Sequence, residues 1–206
     1  MIRIGITGGM GAGKSVISEM MRCLNIPIYD ADQASKIILN NNKEVKSRLM
    51  ELLGEDIFAE GILNRQLMAQ RIFNDKELLI KTNSIIHPAV FEDFTRWSEK
   101  QEKEVVGCES AILFESNMTS YFDCIITISA PIELRINRCI IRNNCTRKEV
   151  LERIGKQMEE SKKIELSDYV IINDNQKALY PQLKSVLESI HLKFKLGSIN
   201  SFRINF

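Results

Sequence analysis

One octapeptide decides most of what this chain can become. Gly8-Gly9-Met10-Gly11-Ala12-Gly13-Lys14-Ser15 matches G-x-x-x-x-G-K-[ST] at every fixed position, between a β-branched run over residues 2–6 and a helical pattern that starts at Lys14. The residue types answer to a chemistry. Glycines let the backbone turn its N–H groups inward and come close to phosphate oxygens. A helix that starts near Lys14 adds the positive end of its dipole. Lys14 is expected to reach the β- and γ-phosphates, and the Ser15 hydroxyl to help hold Mg²⁺. A Gly-rich turn between a strand and a helix is the plainer reading, and the strand–loop–helix placement argues against it. The loop points to nucleoside triphosphate binding but not to the reaction that follows. Asn42-Lys43-Glu44-Val45 lacks the Asp of the guanine motif N-K-x-D, and no transporter-type Ser-Gly-Gly occurs. A small kinase is the leading class.

The rest of the composition excludes more than it identifies. The 206 residues suit one α/β domain with a smaller subdomain inserted in it. A chain of that size buries about 70% of its unfolded surface and needs no staples. Lys+Arg 28 against Asp+Glu 27 leaves a net charge of +1, which argues against a dedicated nucleic-acid or membrane-surface binder. Cys23, Cys108, Cys124, Cys139 and Cys145 contain no C-x-x-C pair and are odd in number, so reduced, mostly buried thiols are expected rather than disulfides or a zinc site. No run approaches the roughly 20 apolar residues of a membrane span, and the opening apolar stretch is too short for a signal peptide. The expected location is the cytoplasm.

Short apolar runs over residues 2–6, 26–29, 105–108, 124–128 and 169–172 read as buried strands. They alternate with helical patterns, which predicts a parallel, doubly wound sheet. A mostly helical stretch covers residues 33–103 and a charged helical segment residues 133–165, while Leu192-Lys193-Phe194-Lys195-Leu196 alternates like an extra strand. Asp30-Ala31-Asp32 falls at the carboxyl end of the second strand, where open α/β sheets expose their ligand crevice. A carboxylate there orients an acceptor hydroxyl and takes its proton, or holds a metal-bound water. An N-cap for the next helix is the bland alternative for one of the two. Arg135, Arg138 and Arg142, three and four apart, share one helix face. Such arginines stabilise charge on a transferring phosphoryl group, or simply decorate a solvated surface.

The ordered combination of these strings resembles the dephospho-CoA kinase family over most of the chain. It comprises Thr7 with the glycine loop, Ile28-Tyr29-Asp30-Ala31-Asp32 with Lys36, Gly61-Ile62-Leu63-Asn64-Arg65, Arg71-Ile72-Phe73-Asn74-Asp75 and Ile86-His87-Pro88. Ala111-Ile112-Leu113-Phe114-Glu115, the Arg138–Arg142 segment, Gln157 and Asp168-Tyr169-Val170-Ile171-Ile172-Asn173 complete it. The resemblance implies transfer of the ATP γ-phosphate to the ribose 3′-hydroxyl of dephospho-CoA, the last step in making CoA. It implies an α/β P-loop fold of the nucleoside-monophosphate-kinase type with a five-stranded parallel sheet and helices on both faces. The core would be residues 1–32, 104–132 and 166–190, with an acceptor subdomain at about 33–103 and a lid at about 133–165.

The resemblance also distributes roles. Asp32 matches the carboxylate near the acceptor hydroxyl, with Asp30 beside it. Thr7 matches a polar position facing the reacting groups, Arg65 and His87 the acceptor side, and Arg138 the lid. Gly9, Gly11, Ala12, Gly13, Lys14, Ser15 and Val16 would hold ATP with Mg²⁺, and adenine would lie near residues 173–176. His87, before a proline in a helix-rich stretch, reads as structural by position. Glu115 contacts the acceptor or metal waters, or anchors the end of its segment. A monomer is expected. The sequence departs from the family pattern at Ala111 (often Pro), Asn143 (Asp), Lys36 (Arg) and Val16 (a second hydroxyl residue), the last leaving its N–H in place. Another small-molecule or nucleotide kinase on the same scaffold, or a non-enzymatic ATP-sensing module, are the alternatives.

Overall fold

The computed structural model describes residues 1–73 and 75–196. In it the opening β-branched run becomes β1 (Ile2–Thr7), followed by α1 (Lys14–Cys23), β2 (Ile28–Asp30), α2 (Ala31–Asn41) and α3 (Lys43–Leu53). A hairpin of β3 (Phe58–Ala59) and β4 (Ile62–Leu63) leads to α4 (Arg65–Phe73) and α5 (Lys76–Glu99). Then come β5 (Val105–Glu109), β6 (Cys124–Ser129), α6 (Ile132–Asn143), α7 (Arg147–Ile154), α8 (Glu160–Glu165), β7 (Tyr169–Ile172) and α9 (Leu179–Phe194). The main sheet has the order β2-β5-β1-β6-β7, with β1 parallel to β5 and β6, and β6 parallel to β7.

The described residues pack into two compact units, one holding Met1–Tyr29 and the residues from Gln101 to Leu196, the other Asp30–Lys100. In the first, side chains alternate across the sheet. Ile4, Ile6, Cys124, Ile126, Ile128 and Ile171 pack with Ile17 and Met21 of α1 and Leu183, Leu187 and Ile190 of α9. On the opposite face, Ile125 packs with Leu113, Phe114 and Phe122, and Thr127 Oγ1 meets Ser167 Oγ just past α8. Strands covered on both faces read as unbroken apolar runs, which is why the sequence displays them.

The C-terminal segment is helical, not the extra strand its alternation predicts. Residues 192–194 belong to α9, which ends at Lys195 in the left-handed region (φ 51°), with Leu196 N–H donating to His191 O at 3.2 Å. The alternation misleads because Leu192 is exposed, while Leu187, Ile190, His191 and Phe194 fall at helical three- and four-residue spacing toward the core. Residues 197–206, and Asn74 of the family strings, lie outside the described residues.

The second unit packs α5 against α2, α3 and α4. Ile38, Leu39, Val45, Leu49, Ile85, Val90 and Phe94 are buried there. The helices start where short polar side chains cap them: Asp30, Asn42 and Asp75 each accept backbone N–H bonds from the first turn of α2, α3 and α5. The β3–β4 hairpin interrupts an otherwise helical expectation. Its turn residues Glu60 (φ 51°) and Gly61 (φ 78°) both take positive φ, as a two-residue hairpin turn requires. Two-residue strands are too short to show alternation in sequence. α5 runs straight through Pro88, so the bias of a pre-proline residue away from helix does not hold at His87.

Among the described residues no helix is long and apolar enough to cross a membrane. Cys108, Cys124 and Cys139 are buried, Cys145 is half-buried and Cys23 is exposed. Burial, helped by the nearby Asp168 carboxylate, pushes the Cys124 thiol up to about 12. A brief iodoacetamide pulse on the native protein therefore labels Cys23 first and spares Cys124 until denaturant is added. Equal labelling of the two in native protein, read by peptide mass spectrometry, would contradict this packing.

Candidate active site

The glycine loop joins the end of β1 to the start of α1, and its carbonyls are all held. Gly8 O accepts from Lys14 Nζ (3.1 Å), Gly9 O from Ala12 N–H (3.1 Å) and Met10 O from Arg135 Nε (3.0 Å). Gly11 O accepts from Arg138 Nη1 (3.4 Å) and Ala12 O from Asn173 Nδ2 (2.8 Å). A carbonyl and the next residue's N–H belong to one planar trans peptide and point in opposite directions. Holding Met10 O and Ala12 O from α6 and from the end of β7 thus turns the Gly11 and Gly13 N–H groups the other way. Among the described residues the N–H groups of Gly11, Gly13 and Ser15 make no hydrogen bond. This is a concavity of donors at a helix N-terminus, the geometry that takes up phosphate.

Two glycines are required by close approach as well as by curvature. Gly13 caps α1 at φ 99°, and a Cβ on it would stand 2.2 Å from Asn173 Nδ2. A Cβ on Gly9 would stand 2.0 Å from Arg135 Nη2. Two expected phosphate donors are otherwise engaged. Ala12 N–H closes the loop's own turn onto Gly9 O, and Val16 N–H closes the first turn of α1 onto Gly13 O (3.1 Å). Val16 therefore offers neither the hydroxyl of the family pattern nor a free N–H.

Of the three arginines, Arg138 lies against the loop and also donates through Nη2 to Asn173 O and Oδ1 (both 3.2 Å) and Asn175 Oδ1 (2.6 Å). Arg142 is exposed and reaches Asn143 Oδ1. Arg135 is only 4% exposed and pairs with Glu160. Residues 173–176, expected near adenine, form a turn in which the Asp174 carboxylate accepts the N–H groups of Gln176 and Lys177. Those bonds hold its pKa below the usual carboxylate range.

Glu115 takes the anchoring role at one of its oxygens. Its Oε1 accepts from Met158 N–H (2.9 Å) and from Lys163 Nζ (2.8 Å), and the fully buried Lys163 also donates to Ala111 O (2.7 Å). Among the described residues, Glu115 Oε2 and Thr7 Oγ1 are buried with no hydrogen-bond partner. Sequence reading missed Glu160 and Lys163, and named Arg135 only as one of three arginines on a helix face. Spacing placed Arg135 on the right face, but nothing in the Glu159-Glu160-Ser161-Lys162-Lys163 string says which acid and which lysine turn inward.

The remaining candidates belong to the second unit. Asp30 Oδ1 accepts from Gln33 N–H (2.9 Å), the capping role, and Asp32 is exposed in the first turn of α2, where the helix dipole favours an acid. Arg65 begins α4 and is exposed. Lys36 is also exposed. His87 is half-buried in α5, and burial pushes its pKa down, so its imidazole is neutral at pH 7.

A five-stranded sheet, a donor-lined glycine loop at the tip of its central strand, and Lys14 and Ser15 on the following helix define a P-loop kinase. Comparison with known proteins narrows that class. The sequence profile of dephospho-CoA kinases matches residues 2–178. A dephospho-CoA kinase of Bacteroides fragilis (strain YCH46) is 39% identical over 193 residues, covering 93% of this chain and 94% of its own. A crystal structure of a Thermus thermophilus protein superposes with a TM-score of 0.80 at 29% identity, over 95% of this chain and 98% of that one. The dephospho-CoA kinase of Campylobacter jejuni shares the fold, with a TM-score of 0.67 at 21% identity over 94% and 98% of the two chains. The chain belongs to the dephospho-CoA kinase family.

Proposed function

We propose that the protein transfers the γ-phosphoryl group of ATP to the ribose 3′-hydroxyl of dephospho-CoA, giving CoA and ADP. The observation that carries this reading is the donor-lined loop of residues 8–15 inside a family match that spans residues 2–178. The bond between the γ-phosphorus and its bridging oxygen breaks, and a bond to the ribose oxygen forms. The 3′-hydroxyl proton passes to the Asp32 carboxylate, at the start of the helix that follows β2. Lys14 and Arg138 hold the negative charge that spreads over the phosphoryl oxygens.

The donor set suits magnesium. Among the described residues no cluster of three His, Cys, Asp or Glu side chains forms a protein cage, and the exposed Ser15 hydroxyl has no protein partner. A hard ion that keeps its waters is held this way, by one hydroxyl and the nucleotide's own oxygens. When bound it neutralises charge on the β- and γ-phosphates. Thr7 faces the reacting groups, Arg65 and His87 serve the acceptor, and the enzyme works as a cytoplasmic monomer.

Residues 133–165 act as the lid. Arg135 and Arg138 tie α6 to the loop, Gln157 and Met158 are tied to Met10 and Glu115, and Lys163 ties α8 to Ala111 and Glu115, so closure falls to α7 and its flanks, about residues 144–156. Hydrogen exchange in that stretch slows when ATP and a CoA-like ligand are both present, and α6 changes little. Equal protection with and without ligands would mean a static helix.

The decisive experiment is ADP release coupled to an indicator, with dephospho-CoA as acceptor and the product's 3′-phosphate checked by mass spectrometry. ADP formed only with some other alcohol would make this a different small-molecule kinase. ATP binding without ADP from any acceptor would make it a sensing module.

A further inference from the structure

Arg135 takes no part in the transfer set out above, yet it is almost fully buried against the loop. Its Nε donates to Met10 O at 3.0 Å, its Nη1 is paired with Glu160, and its Nη2 occupies the space that a Gly9 side chain would need. Glu160 in turn accepts from Ser129 Oγ (2.5 Å) and Ala130 N–H (3.0 Å) at the end of β6. The Met10 N–H goes to Gln157 Oε1 (2.9 Å). Met10 is thus gripped at both its N–H and its C=O by side chains from α6 and from the stretch leading into α8.

We propose that Arg135 is a positioning residue for the nucleotide's phosphates. It fixes the plane of the Met10–Gly11 peptide so that the Gly11 N–H is aimed at a phosphate oxygen before ligand arrives. Glu160 makes that aim conditional on α8 being docked against the end of β6. The charge itself is balanced by Glu160, so what counts is the rigid fork, which holds a carbonyl and a carboxylate at a set angle. A lysine supplies charge without the fork.

This inference rests on ATP being the phosphoryl donor. Its test needs no acceptor, so its failure would leave the identity of the acceptor untouched. Binding of ADP and of AMP is measured by titration calorimetry on the full-length wild type, Arg135→Lys and the double variant Arg135→Met/Glu160→Gln, with melting temperatures alongside. The double variant leaves no buried charge without its partner, so it keeps the fold measurable. Both variants are expected to lose about tenfold or more in ADP affinity, with AMP changing by less than about threefold, because only ADP places a β-phosphate in the loop. The double variant regains melting temperature relative to Arg135→Lys without regaining ADP affinity. Wild-type ADP binding in Arg135→Lys would overturn the proposal. So would a double variant that recovers stability and ADP affinity together, or a parallel fall in ADP and AMP affinity.

Discussion

Asp32→Asn lowers kcat by about 10²- to 10⁴-fold while ATP affinity stays nearly constant. The substitution keeps the shape of the side chain and removes its ability to take a proton, and losses of this order follow removal of a general base. At about 1.4 kcal/mol per tenfold, that is roughly 2.8–5.6 kcal/mol of transition-state stabilisation. The change should not disturb folding, because Asp32 is exposed and the N-cap of α2 is supplied by Asp30. Steady-state kinetics with saturating ATP, together with direct ATP binding, checks it. Collapse of ATP binding with an undiminished saturated rate would recast Asp32 as a metal-water or structural residue, and Asp30→Asn would then be the variant to measure.

Lys14→Ala lowers kcat/KM by at least about 10²-fold with the melting temperature little changed. The ammonium is poised in the loop by Gly8 O (3.1 Å) and Gly9 O (3.5 Å). Its loss removes charge from beside the transferring phosphoryl group, where negative charge develops in the transition state. The loop's shape survives, since Met10 O, Gly11 O and Ala12 O are held by Arg135, Arg138 and Asn173 instead. Near-normal turnover in this variant would remove the loop from the chemistry.

Much of this architecture is visible in the amino-acid order. The apolar runs at residues 105–108 and 124–128 are strands buried almost throughout, and their polar member, Thr127, meets the Ser167 hydroxyl. The edge strand at 169–172 is half-buried but still wholly apolar or aromatic. The glycine loop is visible because its curvature and close contacts admit few other residues. Charged side chains that turn inward are not visible. Lys163 is fully buried and its neighbour Lys162 is exposed, though the two look alike in sequence, and only the location of Glu115 and Ala111 separates them. Arg135 and Arg142 share a spacing rule but not a fate, since one meets Glu160 and the other solvent. The end of α9 was obscured for the opposite reason: in Leu192-Lys193-Phe194-Lys195-Leu196 an alternation of apolar and basic residues imitates a strand. The hairpin at residues 58–63 is too short to imprint any period.

The grip on the loop has a consequence for the order in which the protein acquires its activity during synthesis. Every long-range hold on the loop comes from far along the chain: Arg135 is 125 residues beyond Met10, Gln157 is 147 beyond it, and Asn173 is 161 beyond Ala12. The central strand β1 likewise waits for β5, with Ile2 paired to Val105. A nascent chain therefore carries the complete glycine motif long before the groups that orient it, and lacks the last of them until the β7–α9 turn has emerged. Ribosome-bound chains that stop short of Asn173 should not be retained on immobilised ADP, whereas released full-length chains should. Competence to bind nucleotide therefore lags the motif responsible for it by the 161 residues that separate Ala12 from Asn173.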